Sequence, residues 1–537
     1  MTWSLDPALY AQAASEVDLQ YLEQMASQDT TPVPTDPSRP RVALVVGPSP
    51  FTMPRGFEYF LATPYEGVTY IATVLHNAGY PVRIVDARYH PDPLRLAYDQ
   101  VMEGCDVVGI ATFEDNYPFV EELVAEVKAA RPALPVILGG SLVTSVPHVF
   151  MRETRADVAV ISEGEITILE LMDAFTDGTW NRRLPEIRGI WYRDASGQAH
   201  RTAPRGQLSD LDALPRMNLS LWPQAREPRG LQPQIIASHS RGCKMDCSFC
   251  YRTTPQLREK SLRKFREDMH WLKSQYGIEH IFFSDLTFTS NKKRTLEICA
   301  VIEEIDITWT CLTRCADVDP EVLAAMKRSG CDIILYGVES LNAGILKQAR
   351  KGSSENITLR AMYNTFDAGV RFGGLLIVGL PGETAESLEH ACEWAEEHQH
   401  ITRVKYLSAM PGTSVYREGL SSGIIRGEVE HLRWLATEQA LVHDEFLNYN
   451  GIPETVSRHA YKRIYDSYQP GPVMDFRHFP EHFSYFYPRP DCDWRRRFSS
   501  ASAPPVPGVE RFKLAHLTPS RTVLDELVGN TPMLAPF

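Results

Sequence analysis

The chain has 537 residues, which is enough for two or three domains with separate hydrophobic cores. Its 43% hydrophobic and 23% charged content is typical of globular proteins, and no apolar run approaches the ~18 residues that a membrane-spanning helix needs. The net charge of −13 argues against general nucleic-acid binding, which depends on clustered lysine and arginine, so we expect a small molecule or another protein as partner.

Residues 1–40 are predicted to form an extension that leads into the first domain. They combine a short predicted helix with a polar, proline-rich stretch, TTPVPTDPSRP. They lack the basic-then-apolar pattern of a secretory signal, so we expect a cytoplasmic protein.

Residues 41–180 alternate short apolar segments with amphipathic helices. The predicted strands are RVALVVG, PVRIVDA, DVVGIAT, PVILGGS and VAVISEG. VTYIATVLHNAG and residues 116–130 each place apolar side chains on one helical face. This alternation predicts a doubly wound, Rossmann-like parallel sheet, whose ligands bind at the C-terminal ends of the strands.

Residues 181–230 are predicted as a linker, with a small hairpin at RGIWYRDASGQ. A second α/β series then covers residues 231–420. It has six predicted strands: PQIIAS, HIFFSD, ITWTCLT, DIILYGVE, FGGLLIVGL and VKYLSA. The helices between them are predicted at 262–276, 291–304, 320–329, 355–369 and 384–398. We therefore predict a partial (β/α)6 barrel with its site at the strand C-termini.

Residues 421–537 are predicted as a smaller, mostly α-helical region that covers the barrel mouth and shapes a substrate pocket. Helical patterning near 430–468 gives way to aromatic, proline-rich sequence. These aromatic side chains could stack on an apolar substrate or form a small core or docking surface: Tyr468, Phe476, Phe479, Phe483, Tyr485, Phe486 and Tyr487.

The motif SRGCKMDCSFCYR follows the first strand of the second series. Cys243, Cys247 and Cys250 are spaced C-x3-C-x2-C, so one loop presents three thiolates. A structural zinc site needs four ligands, and no nearby histidine or cysteine supplies the fourth. A [4Fe–4S] cluster held by three cysteines leaves one iron open to a substrate or cofactor. We predict such a cluster, with a structural zinc loop as the less favoured alternative.

The other seven cysteines are scattered through predicted regular elements, as reduced, mostly buried thiols would be: Cys105, Cys299, Cys311, Cys315, Cys331, Cys392 and Cys492. An oxygen-labile cluster would need the same reducing compartment.

The cysteine motif resembles the signature of the radical S-adenosylmethionine (SAM) superfamily, in which the open iron binds the amino and carboxylate groups of SAM. Phe249 stands where that family carries an aromatic residue that packs near the adenine. The resemblance implies that Ser284 and Asp285, in FFSDLTFT, meet the SAM amino group. It implies that Arg314, in TRCAD, is the partner of the SAM carboxylate.

The resemblance continues through the later strands. Glu339 and Ser340, in YGVES, are implied to bind the ribose hydroxyls, and Gly374 and Gly379 of FGGLLIVGLPGET to lie along the adenine. Each residue alone has an ordinary alternative, such as a helix N-cap, a surface ion pair or a turn. Their order across 170 residues downstream of the cysteines favours the SAM site.

A parallel α/β domain ahead of such a barrel resembles the cobalamin-binding domain of the B12-dependent radical SAM enzymes. The matching segments are GPSP, GIATFEDN, LGGS and SEGE. The resemblance implies that these loops hold the corrin ring and its nucleotide tail through Pro48, Ser49, Thr112, Phe113, Glu114, Gly139, Gly140, Ser141, Glu163, Gly164 and Glu165. A domain of this fold without a cofactor is the alternative.

One family feature is missing from this domain. The D-x-H-x-x-G motif, whose histidine ligates cobalt in better-known B12 domains, is absent, and GPSPFTMP after the first strand contains no histidine. His90 and His148 are the nearest candidates and lack that context. If cobalamin binds, its lower face is expected to have no histidine ligand.

Together the two domains imply a cobalamin-dependent radical SAM C-methyltransferase. In such enzymes a [4Fe–4S] cluster cleaves SAM to a 5′-deoxyadenosyl radical, and methylcobalamin methylates an unactivated carbon of a small molecule or natural-product intermediate. A non-methylating relative that catalyses cyclisation, oxidation or rearrangement is the main alternative. A cofactor-based sensor without turnover and an RNA-modifying enzyme are less favoured. The implied partners are a free or carrier-bound substrate and an electron donor such as flavodoxin or ferredoxin, without nucleic acid or a membrane span.

Overall fold

Two sheets organise the chain in the computed structural model, which describes residues 18–20, 22, 35–48, 63–88, 90, 92–226, 234–398, 401–437 and 446–467. The first sheet has the strand order β2-β1-β3-β4-β5-β6-β7. Its strands are β1 (Val42–Val46), β2 (Val82–Asp86), β3 (Val107–Ala111), β4 (Val136–Gly139), β5 (Val158–Val160), β6 (Ile190–Arg193) and β7 (Ala199–Arg201). The first five strands pair in parallel, as predicted. Every residue of β1 is buried because helices cover both faces of the sheet.

The predicted hairpin of the linker extends this sheet. β6 pairs antiparallel with β5, and β7 pairs antiparallel with β6. Without the hairpin, β5 would present an unpaired edge. The sheet therefore continues to Arg201, beyond the predicted domain boundary at residue 180.

The helices of this first half lie on both faces of the sheet. They are α1 (Glu66–Asn77), α2 (Pro93–Met102), α3 (Tyr117–Ala130), α4 (Ser141–Ser145), α5 (Pro147–Glu153), α6 (Glu165–Thr176) and α7 (Trp180–Arg183). In α3, Phe119, Leu123, Val124 and Val127 are buried on one face, as the sequence predicts. α6 begins directly after the SEG segment, so its N-terminus lies at the C-terminal edge of the sheet.

The second sheet has six parallel strands in the order β15-β14-β13-β12-β11-β8, which confirms the predicted partial barrel. They are β8 (Gln234–Ala237), β11 (His280–Phe283), β12 (Thr308–Thr313), β13 (Cys331–Glu339), β14 (Arg371–Val378) and β15 (Ile401–Tyr406). β9 (Ser240–Arg241) and β10 (Arg258–Glu259) form a separate antiparallel ribbon. Inside the barrel, Ile333 and Leu335 pack with Phe282, Leu312 and Leu375.

The helices of the second half are α8 (Leu262–Tyr276), α9 (Lys292–Ile305), α10 (Pro320–Arg328), α11 (Ala343–Gln348), α12 (Glu355–Asp367), α13 (Ala385–His398), α14 (Ser414–Ser422), α15 (Glu428–Leu435) and α16 (Glu454–Ser467). In the described part of the chain, no helix combines the length and the apolar character required to cross a membrane.

The described C-terminal helices lie on the flanks of the barrel. In α16, Tyr461 donates a hydrogen bond to the Val404 carbonyl at 3.2 Å, and Arg463 forms ion pairs with Glu389 and Glu396 of α13. α15 contacts the first domain, because Arg433 forms an ion pair with Glu121 of α3 at 3.0 Å. The seven aromatic residues that could stack on a substrate or form a small core or docking surface lie outside the described residues.

Candidate functional site

The cysteine loop is closed at its base by the β9–β10 ribbon, which we call the neck. In the neck, Arg241 pairs with Arg258 and Ser240 pairs with Glu259. Gly242 has a φ of +85°, and a Cβ atom there would lie 1.9 Å from the Gln256 carbonyl oxygen. Only glycine allows this closure, so the sequence RGC fixes the start of the loop.

Asp285 holds the neck from the barrel side. Its buried carboxylate accepts hydrogen bonds from the backbone N–H of Ser240 at 2.8 Å and of His239 at 3.3 Å. It also accepts one from the Ser240 hydroxyl. The structure therefore gives Asp285 a role in anchoring the loop; its predicted contact with the SAM amino group stays a prediction.

The three cysteine thiols share one loop with different degrees of burial. Cys243 is buried, whereas Cys247 and Cys250 are partly buried. Burial raises the pKa of Cys250 to about 11, and the neighbouring Cys247 raises it further. Metal coordination requires thiolates, so a cationic group bound between them would offset this cost.

The geometry differs from that of a single-ion site. Within the described residues, no three histidine, cysteine or carboxylate side chains converge on one metal-ion position. A four-iron cluster does not require the three thiols to converge on one position, because each cysteine ligates a different iron. The donor set of three thiols on one loop fits such a cluster.

Three predicted SAM residues surround Lys351, which the sequence analysis did not identify. Its Nζ lies 3.0 Å from Oε1 of Glu339 and 5.9 Å from the ring centroid of Phe249. Arg314 donates a hydrogen bond to the Lys351 carbonyl at 2.8 Å. Phe249, Arg314 and Glu339 are thus brought together beside the cysteine loop. No local sequence pattern marks Lys351, which follows a short helix.

Glu339 adopts an uncommon backbone conformation. Its φ is +65°, and the pairing of β13 with β14 shifts register between Gly337 and Glu339. Gly337 leaves room for the ion pair, because a Cβ there would lie 2.6 Å from the Glu339 carboxylate. Bulges and positive φ values of this kind concentrate at functional sites.

The other predicted SAM residues make local contacts. Ser340 accepts a hydrogen bond from the Asn342 N–H at 3.2 Å, and Ser284 donates to Glu66 at 3.4 Å. Gly379 has a φ of +101° and donates its N–H to Glu383 at 2.7 Å. Burial raises the pKa of Glu383 to about 8, so its carboxyl group is mostly protonated at neutral pH.

A cavity of about 380 Å³ lies at the C-terminal edge of the first sheet. Most of its lining is apolar, from residues such as Leu44, Ile110, Ile137 and Val160. Seven of the eleven predicted cobalamin residues line it: Phe113, Gly139, Gly140, Ser141, Glu163, Gly164 and Glu165. Neither His90 nor His148 is among the lining residues, and His148 contacts Glu428 at 3.0 Å.

The other four predicted cobalamin residues behave differently. Thr112 is buried, and its hydroxyl accepts a hydrogen bond from the Val143 N–H at 3.0 Å. It therefore supports the segment after Gly140 and does not line the cavity. Pro48 is partly buried outside the cavity lining, and Ser49 lies outside the described residues. Glu114 is also absent from the cavity lining and interacts instead with Lys405 of the barrel.

Two glycines shape the cavity rim. Gly140 has a φ of +121°, and a Cβ there would lie 2.4 Å from the Thr112 carbonyl oxygen. A Cβ on Gly139 would meet no atom within 4 Å, so this position opens into the cavity. The apolar lining and the bare backbone fit a large, flat ligand such as a corrin with its nucleotide tail.

A polar wall joins the two domains beside the cysteine loop. Lys405, on the last barrel strand, interacts with Glu114 and Asp115 at the end of β3. Burial lowers the pKa of Lys405 to about 7, and the nearby Arg403 lowers it further. Tyr251 of the cysteine loop lies 3.5 Å from the Ser145 hydroxyl, and burial raises its pKa.

Replacing Lys405 by methionine is expected to raise the free energy of unfolding at pH 7 by on the order of 1–3 kcal/mol. In the folded protein the Lys405 amine is protonated only below its pKa of about 7, whereas in the unfolded chain it is protonated below a pKa of 10.5. The stability of the wild type therefore decreases as pH falls from 10.5 to 7. Urea unfolding at both pH values tests this, with Lys347→Met as an exposed control. If the difference in the free energy of unfolding between Lys405→Met and the wild type does not become smaller toward pH 10.5, the prediction is wrong.

Comparison with known proteins identifies both halves. A model of the Radical SAM superfamily matches residues 237–395, and a model of the B12 binding domain matches residues 62–172. An uncharacterized methyltransferase of Pyrococcus horikoshii is 28% identical over 375 residues, covering 67% of this chain and 80% of the relative.

Solved structures show the same fold. The radical S-adenosylmethionine methyltransferase TsrM of Kitasatospora setae superposes with a TM-score of 0.62 at 16% identity, covering 82% of this chain and 91% of that one. The cobalamin-dependent S-adenosylmethionine radical enzyme OxsB superposes with a TM-score of 0.58 at 16% identity, covering 74% of this chain. The chain spans 56% of the length of OxsB. The chain belongs to the cobalamin-dependent radical SAM enzymes, in which a B12-binding domain precedes the radical SAM domain.

Proposed function

We propose that this enzyme is a C-methyltransferase that methylates an unactivated carbon of a small molecule or natural-product intermediate. One observation carries the proposal. The cavity of the first domain is also lined by Arg241, Thr253 and Thr254, which belong to the base of the cysteine loop. A corrin in the cavity and a cluster on the loop would therefore share one interface.

The cofactors and the chain divide the work. When bound, the cluster supplies the electron that cleaves SAM to methionine and a 5′-deoxyadenosyl radical, and cobalamin supplies the methyl group. Cys243, Cys247 and Cys250 would hold the cluster. Phe249 and Arg314 would orient SAM, together with Glu339, Ser340, Ser284, Asp285 and Gly379. Holding the reactants in place and excluding water is the protein's own contribution.

The proposed cobalamin site is the cavity with its loops. Phe113, Gly139, Gly140 and Ser141 would lie against the ring or tail, with Glu163, Gly164 and Glu165 at the rim; Pro48, Ser49, Thr112 and Glu114 complete the proposed set. Both glycines favour close approach of a bulky ligand.

The proposed partners are a free or carrier-bound substrate and an external electron donor such as flavodoxin or ferredoxin. A reducing cytoplasm suits the nine free cysteines of the described residues. The name of the Pyrococcus horikoshii relative supports methyl transfer over the non-methylating alternative.

Anaerobic reconstitution with iron, sulfide and hydroxocobalamin tests this proposal. With SAM and a chemical reductant, the enzyme is expected to form both S-adenosylhomocysteine, from methylation of the reduced cobalamin, and 5′-deoxyadenosine, from reductive cleavage. Liquid chromatography with mass detection measures both products. Deoxyadenosine without S-adenosylhomocysteine would favour cyclisation, oxidation or rearrangement, and failure to bind hydroxocobalamin would refute the proposal.

A further inference from the structure

A single carboxylate of the first domain holds both strands of the neck. Glu163 follows β5, and its Oε1 contacts Nη1 of Arg241 at 3.0 Å while its Oε2 contacts Nη1 of Arg258 at 2.8 Å. These two arginines are cross-strand partners in the β9–β10 ribbon. The second carboxylate of the SEGE segment, on Glu165, accepts from Nη2 of Arg241 at 2.7 Å.

The four charged side chains are mostly removed from water. Their exposed fractions are 16% for Arg241, 9% for Arg258, 9% for Glu163 and 5% for Glu165. In such surroundings an ion pair is screened weakly, and loss of one partner leaves an uncompensated buried charge. Glu163 also accepts the Leu208 N–H at 2.7 Å, which fixes its carboxylate further. The carboxylates of Glu163 and Glu165 therefore bind both strands of the neck to the first domain.

The neck also rests on helix α1 of the first domain. The guanidinium carbon of Arg241 lies 5.3 Å from the ring centroid of Tyr70, and Lys260 donates to the Tyr70 hydroxyl at 3.0 Å. Arg241 is two residues before Cys243. The contacts of Arg241 with the first domain therefore hold the segment that leads directly into the first proposed cluster ligand.

The same side chains line the cavity proposed for cobalamin. Arg241, Glu163 and Glu165 all belong to its wall, and Thr253 and Thr254 add the other end of the cysteine loop. A ligand in the cavity would contact Arg241, Thr253 and Thr254, which lie at the two ends of the loop whose three cysteines would hold the cluster. Binding of either cofactor would therefore order the neck and the cysteine loop, which the other cofactor also contacts.

We infer that Glu163 and Arg241 couple the two cofactor sites, so that each cofactor binds more tightly when the other is present. This inference rests on the proposed function. Glu163 acts here as a positioning residue, through the arginines of the neck. Because coupling is reciprocal in binding free energy, the cluster must change cobalamin affinity by the same factor as cobalamin changes cluster affinity.

The test measures the Kd of hydroxocobalamin by ultrafiltration for protein with a reconstituted cluster and for cluster-free protein. The wild type is expected to bind at least about fivefold more tightly with the cluster. Glu163→Gln is expected to bring this ratio close to one. Arg241→Lys keeps the positive charge but cannot contact Glu163 and Glu165 through two guanidinium nitrogens, so it is expected to lower the ratio partly. Arg433→Gln, which breaks a different contact to the first domain, is expected to keep the wild-type ratio.

Equilibrium competition for iron with a chelator gives the reciprocal measurement. Hydroxocobalamin is expected to raise the chelator concentration that removes half of the iron from the wild type but not from Glu163→Gln. A wild-type ratio of one overturns the coupling without any variant. An unchanged ratio in Glu163→Gln overturns the role of this residue. Failure of the reconstituted wild type to bind hydroxocobalamin refutes the proposed function itself, which is a distinguishable result.

Discussion

Replacing Cys250 by alanine is expected to reduce SAM cleavage to below about one-hundredth of the wild-type rate. Substitution of groups that only support metal ligands costs 10–100-fold, and Cys250 is proposed to be a ligand itself. Only three cysteines stand in the loop, and no other thiolate is available there to replace the missing one. The Cys250 N–H donates to the Cys247 carbonyl at 3.2 Å, so alanine keeps this turn. The effect should therefore be chemical and not a consequence of unfolding.

Cys105→Ala provides a matched control. Cys105 is a buried thiol of the first domain whose Sγ lies 3.5 Å from the Val101 carbonyl. We expect this variant to keep its iron, sulfide and 5′-deoxyadenosine formation. Iron and sulfide analysis with detection of deoxyadenosine after anaerobic reconstitution measures both variants. If Cys250→Ala retains four irons and cleaves SAM, the three-cysteine cluster is not the reactive centre.

Both sheets could be predicted from the sequence because their strands carry strong local signals. Parallel strands are buried on both faces, so segments such as residues 42–46 and 333–338 are nearly continuous apolar runs. Helix ends were also encoded locally. In α8, the Ser261 hydroxyl accepts the Lys264 N–H, and Gly277 ends the helix at a φ of +67°.

The contacts between the domains could not be predicted in this way. Arg241 and Glu163 are 78 residues apart, and Lys405 interacts with Glu114, which is still farther away along the chain. Spacing along one strand places a residue at the sheet edge, but the partner that it meets depends on how the two domains pack. For the same reason the hydrogen bond from the Ser240 N–H to the Asp285 carboxylate could not be predicted, although the sequence places Asp285 at a strand end.

The two glycines of LGGS, a segment that resembles a cobalamin-binding loop, differ in their surroundings. Gly139 has open space where a Cβ would stand, and Gly140 has a φ of +121°. The two glycines therefore differ in what a side chain would do. At Gly140 it would collide with the backbone of Thr112, whereas at Gly139 it would enter only the cavity.

Replacing Gly139 by leucine is therefore expected to block cobalamin binding without disturbing the radical SAM domain. The new side chain would occupy part of a cavity of about 380 Å³, and no atom lies within 4 Å of its Cβ to force the backbone to move. We expect the Kd of hydroxocobalamin to increase at least about tenfold, which corresponds to about 1.4 kcal/mol. Formation of S-adenosylhomocysteine should fall with it.

Reductive cleavage of SAM distinguishes steric blocking from misfolding. The three cysteines lie on a loop outside the first sheet, so Gly139→Leu is expected to keep iron binding and 5′-deoxyadenosine formation while methyl transfer is lost. Gly139→Ala adds only a Cβ in open space and should weaken binding much less. A graded loss from alanine to leucine, with cleavage retained in both, would assign the cavity to cobalamin. Wild-type affinity in Gly139→Leu would show that the corrin and its tail bind elsewhere.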